Sequence, residues 1–258
     1  MKDNVYGFKA ENAMIEALNQ KKYADLNENL KRMLRGLFPM VRDDCVIECK
    51  KYEGFYKPDF VVTCKGIEKY ISMKSADAKN VHEEPISLFI TFLHRMGFSK
   101  ETLETVRLFQ YGDGTIDGTG KRIMSWREVY YTYAERIKKA NIELNQNKRI
   151  LLDMMDRFLF QGVDSDAKFA DAIYHGGVDE GILVRKEQFE NYFLFKRWDN
   201  YDSFHIGPLI IKPHTRFVGF SSGDIKNEHL RHKVQLKWPH LKEDMAFMYK
   251  YVSGRKLR

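Results

Sequence analysis

The chain has only three cysteines, Cys45, Cys49 and Cys64, and no Cys-x-x-Cys pair. That excludes a disulfide framework and a thiolate zinc site. No apolar run approaches the roughly 18 residues of a membrane span, so no membrane partner is expected. The N-terminal "MKDNVYGFKAENA" lacks the apolar stretch of a signal peptide, and a cytoplasmic location is expected. Internal repeats and low-complexity tracts are absent. "YGDGTIDGTGK" (111–121) is glycine-rich, but its spacing is wrong and Arg122 follows Lys121, which excludes a P-loop. "YHGG" (174–177) comes without Gly-x-Ser-x-Gly and reads as a turn, not an oxyanion loop. His82-x-Glu84 lacks the Pro-Cys-x-x-Cys of a zinc deaminase.

What is present is a periodic, 43% apolar chain of 258 residues, long enough to bury a core. One domain across 1–258 is expected, with a helical insertion at about 99–160 and a basic C-terminal part at about 226–258. The net charge is +7, and residues 226–258 carry nine Lys/Arg against three Asp/Glu, so the surplus is concentrated there. Aromatic residues interleave with those cations. Such a segment suits a phosphate backbone, where counterion release favours binding, and makes Arg231, Lys233 and Lys237 candidate nucleic-acid contacts. The aromatics of "WREVYYTYAERI" (126–137) read as core and helix packing.

Helices are expected at about 7–20, 23–37 and 99–110, and along much of 125–160, from apolar recurrence at three- and four-residue spacing. Pro85 suits a helix start, followed by an Ile86, Phe89, Ile90, Leu93 stripe. Strands are expected at 44–53, 57–64, 67–75, 181–185 and 206–212. Lys65-Gly66 reads as a two-residue hairpin turn, which pairs Cys64 with Ile67. Asp59 then lies opposite Ser72, with Lys74 diagonal to it. Alternation puts Asp59, Ser72 and Lys74 on one face, and Phe60, Val62, Ile71 and Met73 on the other.

A carboxylate and a lysine on the polar face of a sheet suit phosphodiester hydrolysis. The carboxylate holds Mg²⁺, which prefers hard oxygen ligands. The lysine positions water and stabilises developing negative charge. One carboxylate rarely suffices, and Glu11, Glu68, Glu83 and Glu84 are the candidates for a second. Glu68 is on the correct face, but four strand residues, roughly 13 Å, separate it from Ser72.

The order of a Glu11 helix, a strand, the Pro58-Asp59 strand, the Ser72-x-Lys74 strand and a helix resembles the PD-(D/E)XK nuclease superfamily. That superfamily includes many type II restriction endonucleases. "GFKAENAMIEAL" (7–18) is similar to its first helix, where a glutamate often reaches the metal. Some members carry Ser-x-Lys in the third strand and take the missing carboxylate from the following helix. "KSADAKNVHEEP" (74–85) resembles that variant through Val-His-x-Glu at 81–84. The resemblance covers about residues 6–97. It implies an α+β, restriction-endonuclease-like core: a helix, a three-stranded antiparallel start of a mixed sheet, a helix and a further strand, with helical elaboration. It implies a metal set of Asp59, Glu11 and a displaced Glu84, with Lys74, Ser72 and His82 in the catalytic site; Glu83 stays open as the alternative carboxylate. The function implied is a Mg²⁺-dependent endonuclease, with Mn²⁺ as a substitute ion, acting on double-stranded DNA as a homodimer of type II restriction character. A catalytically silent nucleic-acid-binding module on the same fold is the alternative, kept open by Ser72.

Overall fold

The computed structural model describes residues 2–54, 57–75, 78–120, 122–164, 166–198, 202–214 and 228–251. Of the basic tail, Lys226, Arg255, Lys256 and Arg258 lie outside the described residues, as does Lys121 of the glycine-rich loop. The elements run α1 (Lys2–Leu18), β1 (Lys21–Lys22), α2 (Glu28–Leu37), β2 (Val46–Lys51), β3 (Phe60–Cys64), β4 (Ile67–Lys74), β5 (Asn80–Pro85) and α3 (Ile86–Arg95). There follow α4 (Lys100–Tyr111), α5 (Trp126–Thr132), α6 (Ala134–Gln146), α7 (Lys148–Met155), a π-helical turn (Asp156–Gln161), β6 (Ala172–Gly176), β7 (Gly181–Arg185) and α8 (Lys186–Phe195). The chain closes with β8 (His205–Ile206), β9 (Leu209–Pro213), α9 (Glu228–Arg231), β10 (Lys233–Lys237) and α10 (Leu241–Tyr251).

The chain divides into two compact units. The first holds residues 1–78, 155–195 and 240–258, the second 79–154 and 196–239. The first is built on a sheet of order β1-β2-β3-β4-β6-β7, antiparallel throughout except for the parallel β4–β6 pair. The β3–β4 hairpin has the expected register, Cys64 opposite Ile67. Lys65 and Gly66 have φ of 50° and 76°, the left-handed pair of a tight hairpin turn whose twist matches that of the strands. Phe60, Val62, Ile71 and Met73 enter one buried cluster with Met14 and Leu18 of α1 and Leu30, Met33, Leu34 and Leu37 of α2. Burying each large apolar side chain there contributes about 1.5–3 kcal/mol, which fixes which face of the hairpin points inward. The helix expected from residue 23 begins at Glu28 because the Asn27 side chain caps it, accepting from the Leu30 N–H at 2.8 Å.

Two expectations fail in this part of the chain. "YHGG" is not a turn: Tyr174, His175 and Gly176 lie in β6, and only Gly177 lies outside the strand. Residues 80–85 form a strand, so Glu84, expected to come from the start of the following helix, stands in β5. Pro85 is the N-cap of α3, as its fixed φ of −57° suits. The strand escaped notice because its partner β10 comes some 150 residues later.

The second unit carries a four-stranded antiparallel sheet of order β5-β10-β9-β8. Val234 and Leu236 of β10 and Leu209 and Ile211 of β9 form its apolar face. Of the "WREVYYTYAERI" residues Val129 is core, but Trp126 and Tyr131 are 45% and 76% exposed, against the expectation of packing. Among the described residues no helix is long and apolar enough to cross a membrane.

Candidate active site

The first unit gathers its charged side chains where β2 and β4 end and β3 begins. Asp59 stands just before β3, and its N–H donates to the Ile71 carbonyl at 2.8 Å, one residue out of the register that pairs Phe60 with Ile71, so the expected Asp59–Ser72 pairing is not part of the ladder. The Asp59 Oδ2 accepts from the Met73 N–H at 2.5 Å and from the Ser72 hydroxyl at 3.3 Å. Ser72 is fully buried. Its hydroxyl helps to orient the Asp59 carboxylate. Lys74, half-buried, is the last residue of β4, on the Ser72 face.

Glu11 joins this group from α1, which packs along β2. Its carboxyl is held above the usual carboxylate range, first by burial and then by the Asp59 charge; Lys51 and Lys74 pull it the other way. Glu11 therefore senses one carboxylate and two ammonium groups. Lys51 was not singled out from sequence. It ends β2, with its Nζ 4.0 Å from the Phe8 ring centroid, and strand parity alone gave no reason to choose it. His175 was also missed. It is buried and pairs with Lys74 across the parallel β4–β6 ladder, which puts it on the Lys74 face. Only a pairing across the long crossover from β4 to β6 reveals that. Glu68 lies at the far end of β4 and accepts from the Tyr70 hydroxyl at 2.8 Å, away from this group as expected.

The remaining candidates lie in the second unit. His82 Nε2 and Glu84 Oε1 are 3.0 Å apart, and both side chains are almost wholly buried. They project from β5 opposite Leu236 and Val234, on the apolar face of the small sheet. Glu83 points to the opposite face, where Lys233 Nζ, Gln235 Nε2 and His214 Nε2 lie 3.3, 3.0 and 3.1 Å from its carboxylate oxygens. Arg231, expected from sequence as a phosphate contact, donates to Asp113 Oδ2 at 2.7 Å. The same aspartate accepts from Thr115 and from the Gly120 N–H, so Arg231 is tied to the glycine-rich loop. Lys237 ends β10, partly exposed, on the Gln235 face.

Among the described residues no set of three or more His, Cys, Asp or Glu is arranged to hold a metal. Two carboxylates are, however, a sufficient protein donor set for Mg²⁺, which keeps several waters. Burial and, after it, the Asp59 charge raise the Glu11 pKa, and the Asp59 part is the like-charge cost that a bound cation would remove.

No protein-family profile matches the chain, and no curated protein matches it either. Its structure is similar to that of the restriction endonuclease MspI in complex with its cognate DNA, with a TM-score of 0.52 and 13% sequence identity, over 90% of this chain and 87% of that one. An initial helix, three antiparallel strands and a further strand parallel to the third, reached through a long crossover, make this chain a mixed α+β protein of restriction-endonuclease-like fold.

Proposed function

We propose that this protein is a metal-dependent endodeoxyribonuclease of restriction type that hydrolyses phosphodiester bonds in double-stranded DNA. The observation that carries the reading is the Asp59 carboxylate, held by Ser72 and Met73 next to the β4 end that carries Lys74, with the Glu11 pKa responding to both Asp59 and Lys74. The likeness to a restriction endonuclease crystallised with DNA supports the substrate class.

Each residue has a definable task. The Met73 N–H and the Ser72 hydroxyl fix the Asp59 carboxylate, and Asp59 with Glu11 would hold Mg²⁺ or Mn²⁺. Bound there, the ion supplies Lewis-acid neutralisation of the phosphate and an acidified water. The Lys74 ammonium stands beside the pair, where it orients the attacking water and offsets charge that develops on the phosphate. One such corner cuts one strand, so the reading takes a homodimer as the form that cuts both. Incubated with Mg²⁺, supercoiled plasmid should become linear without accumulating nicked circles, and in EDTA it should stay intact. Metal-independent cutting, or none under any ion, would defeat the reading.

A second reading, a catalytically silent nucleic-acid-binding module, is favoured by one observation: a buried serine stands where an acid would ligate. Binding without cutting in the same assay selects it.

Glu11 gives a test that does not depend on turnover. Its pKa is raised on folding, so between the unfolded and folded values the native state binds more protons. Stability therefore falls as pH rises through that window. Glu11→Gln should remove this fall, melt above wild type at neutral pH, and lose most of the melting-temperature increase that Mg²⁺ gives the wild type. Identical melting curves with and without Mg²⁺ for both proteins would remove Glu11 from the site.

On Glu84 the family resemblance and the local geometry make different claims. As a displaced metal ligand, Glu84→Gln would be inactive with unchanged melting. As the partner of His82 in a buried pair, it would melt lower and still cut when folded, because a weakened buried hydrogen bond costs about 1–3 kcal/mol. We take the second as the expected result, read by thermal melting alongside cleavage by the folded variant; an inactive Glu84→Gln with wild-type melting returns the displaced-carboxylate role to it.

A further inference from the structure

The second unit carries a further candidate surface. A groove of about 490 Å³ opens there, of the size that takes a small organic ligand. Its floor is apolar: Phe109 and Phe204 meet edge to face at 5.3 Å, both buried, beside Ile210. Trp126 and Tyr130 of α5 form one wall, and Lys212 and Lys237 of the small sheet line the groove with them. Lys212 Nζ is 5.7 Å from the Trp126 ring centroid. Of the three tryptophans only Trp126 is exposed, at 45%, while Trp198 and Trp238 are buried.

The two lysines are close enough that Lys237, after burial, lowers the Lys212 pKa. Like charges crowded against an aromatic wall are relieved by an anion. Asp202 is the one carboxylate among the lining residues, against the two lysines, and its charge reaches Tyr130. A ligand suited to both features has a flat aromatic part for the indole and an anionic part for the ammonium groups. A nucleotide within a strand has both. In a paired duplex the base faces are stacked on one another and are not offered to a side chain. The occupant must therefore have an unpaired or extruded base.

We infer that this groove binds a nucleic-acid strand through one unstacked base against Trp126, with the flanking phosphates on Lys212 and Lys237. The inference rests on the DNA-binding reading above and adds to it a preference for unpaired bases, which neither the Asp59 corner nor duplex binding requires. Stacking of a base on an aromatic side chain is sequence-tolerant, so the groove senses exposure of a base and not its identity.

The test uses the full chain in EDTA, so that binding is read without cleavage. Three probes are titrated: oligothymidylate, a flush duplex, and the same duplex with one extrahelical base. Wild type should bind the bulged duplex about tenfold more tightly than the flush one, with quenching of tryptophan emission that Trp126→Phe abolishes. Trp126→Ala should lose the preference and keep flush-duplex affinity. Lys212→Gln with Lys237→Gln should flatten the salt dependence of bulged-duplex binding by one to two units, about 0.7 per phosphate for a single strand. Equal affinity of Trp126→Ala and wild type for the bulged duplex overturns the groove and leaves the nuclease reading standing. Quenching by a free mononucleotide but not by any strand also overturns it. Failure of wild type to bind any probe, flush duplex included, overturns the nuclease reading as well.

Discussion

Lys74→Ala should cut DNA about 10²–10³-fold more slowly than wild type, the loss typical when one charge-stabilising donor is removed from a phosphoryl or acyl site. Its melting temperature and DNA affinity should stay close to wild type. Lys74 is half-buried at the end of β4 and forms no part of the apolar cluster beneath the hairpin, so truncation opens no core cavity. A contact that strengthens in the transition state costs rate, whereas one that merely holds substrate costs affinity. Single-turnover cleavage, paired with filter binding in EDTA, separates the two. The variant carries a second signature. Lys74 lowers the Glu11 pKa, so without it Glu11 keeps its proton to higher pH. Residual activity should accordingly need more alkaline conditions. A folded Lys74→Ala protein that nicks plasmid at the wild-type rate would show that the chemistry is elsewhere.

Asp59→Asn should be slower still, by about 10³-fold, since Lewis-acid stabilisation of several kcal/mol is lost with the ligand charge and each 1.36 kcal/mol is tenfold. The substitution is nearly isosteric, and its amide oxygen can still accept from the Met73 N–H. Asp59→Ala differs in that respect: it leaves the Met73 N–H without this acceptor, at about 1–3 kcal/mol. Comparing the two distinguishes charge from scaffolding. Equal melting of wild type and Asp59→Asn, with Asp59→Ala lower, assigns the fold contribution to the hydrogen bond and the rate to the charge. Removing the Asp59 charge also relieves Glu11, so the decline of stability with pH that Glu11 causes should weaken in Asp59→Asn. A Mg²⁺ titration of cleavage that matches wild type in shape and amplitude would exclude Asp59 as a ligand.

The hairpin explains how this corner could be read from sequence. Its register depends on a two-residue turn and on alternation, both properties of about 16 neighbouring residues, and both held in the structure. β7 was recognisable for the same reason, as a short apolar run between turns, whereas the single strand expected at 206–212 turns at residues 207–208 into the β8–β9 hairpin. β5 was not recognisable. "NVHEEP" has the polar composition of a connector, and it becomes an edge strand only because β10 supplies its hydrogen bonds. Glu84 changed its setting with it, from a helix start to a buried strand position beside His82. The local setting of the tail's cations was likewise not legible. Arg231 is drawn to Asp113 and Lys233 to Glu83, partners more than a hundred residues away, while Lys237 faces a groove whose aromatic wall was taken for core.

By itself, the sequence determined the hairpin, the face that holds Ser72 and Lys74, and the helix that carries Glu11, because periodicity and turn chemistry act over a few residues. Tertiary structure alone decided that His175 sits beside Lys74, that Lys51 and Glu11 share their field, and that the cations of the tail are divided between ion pairs and a groove. Those depend on strand partners and charges distant in the chain, whose pairing is selected by burial and hydrogen-bond satisfaction across the whole fold and leaves no local pattern to read.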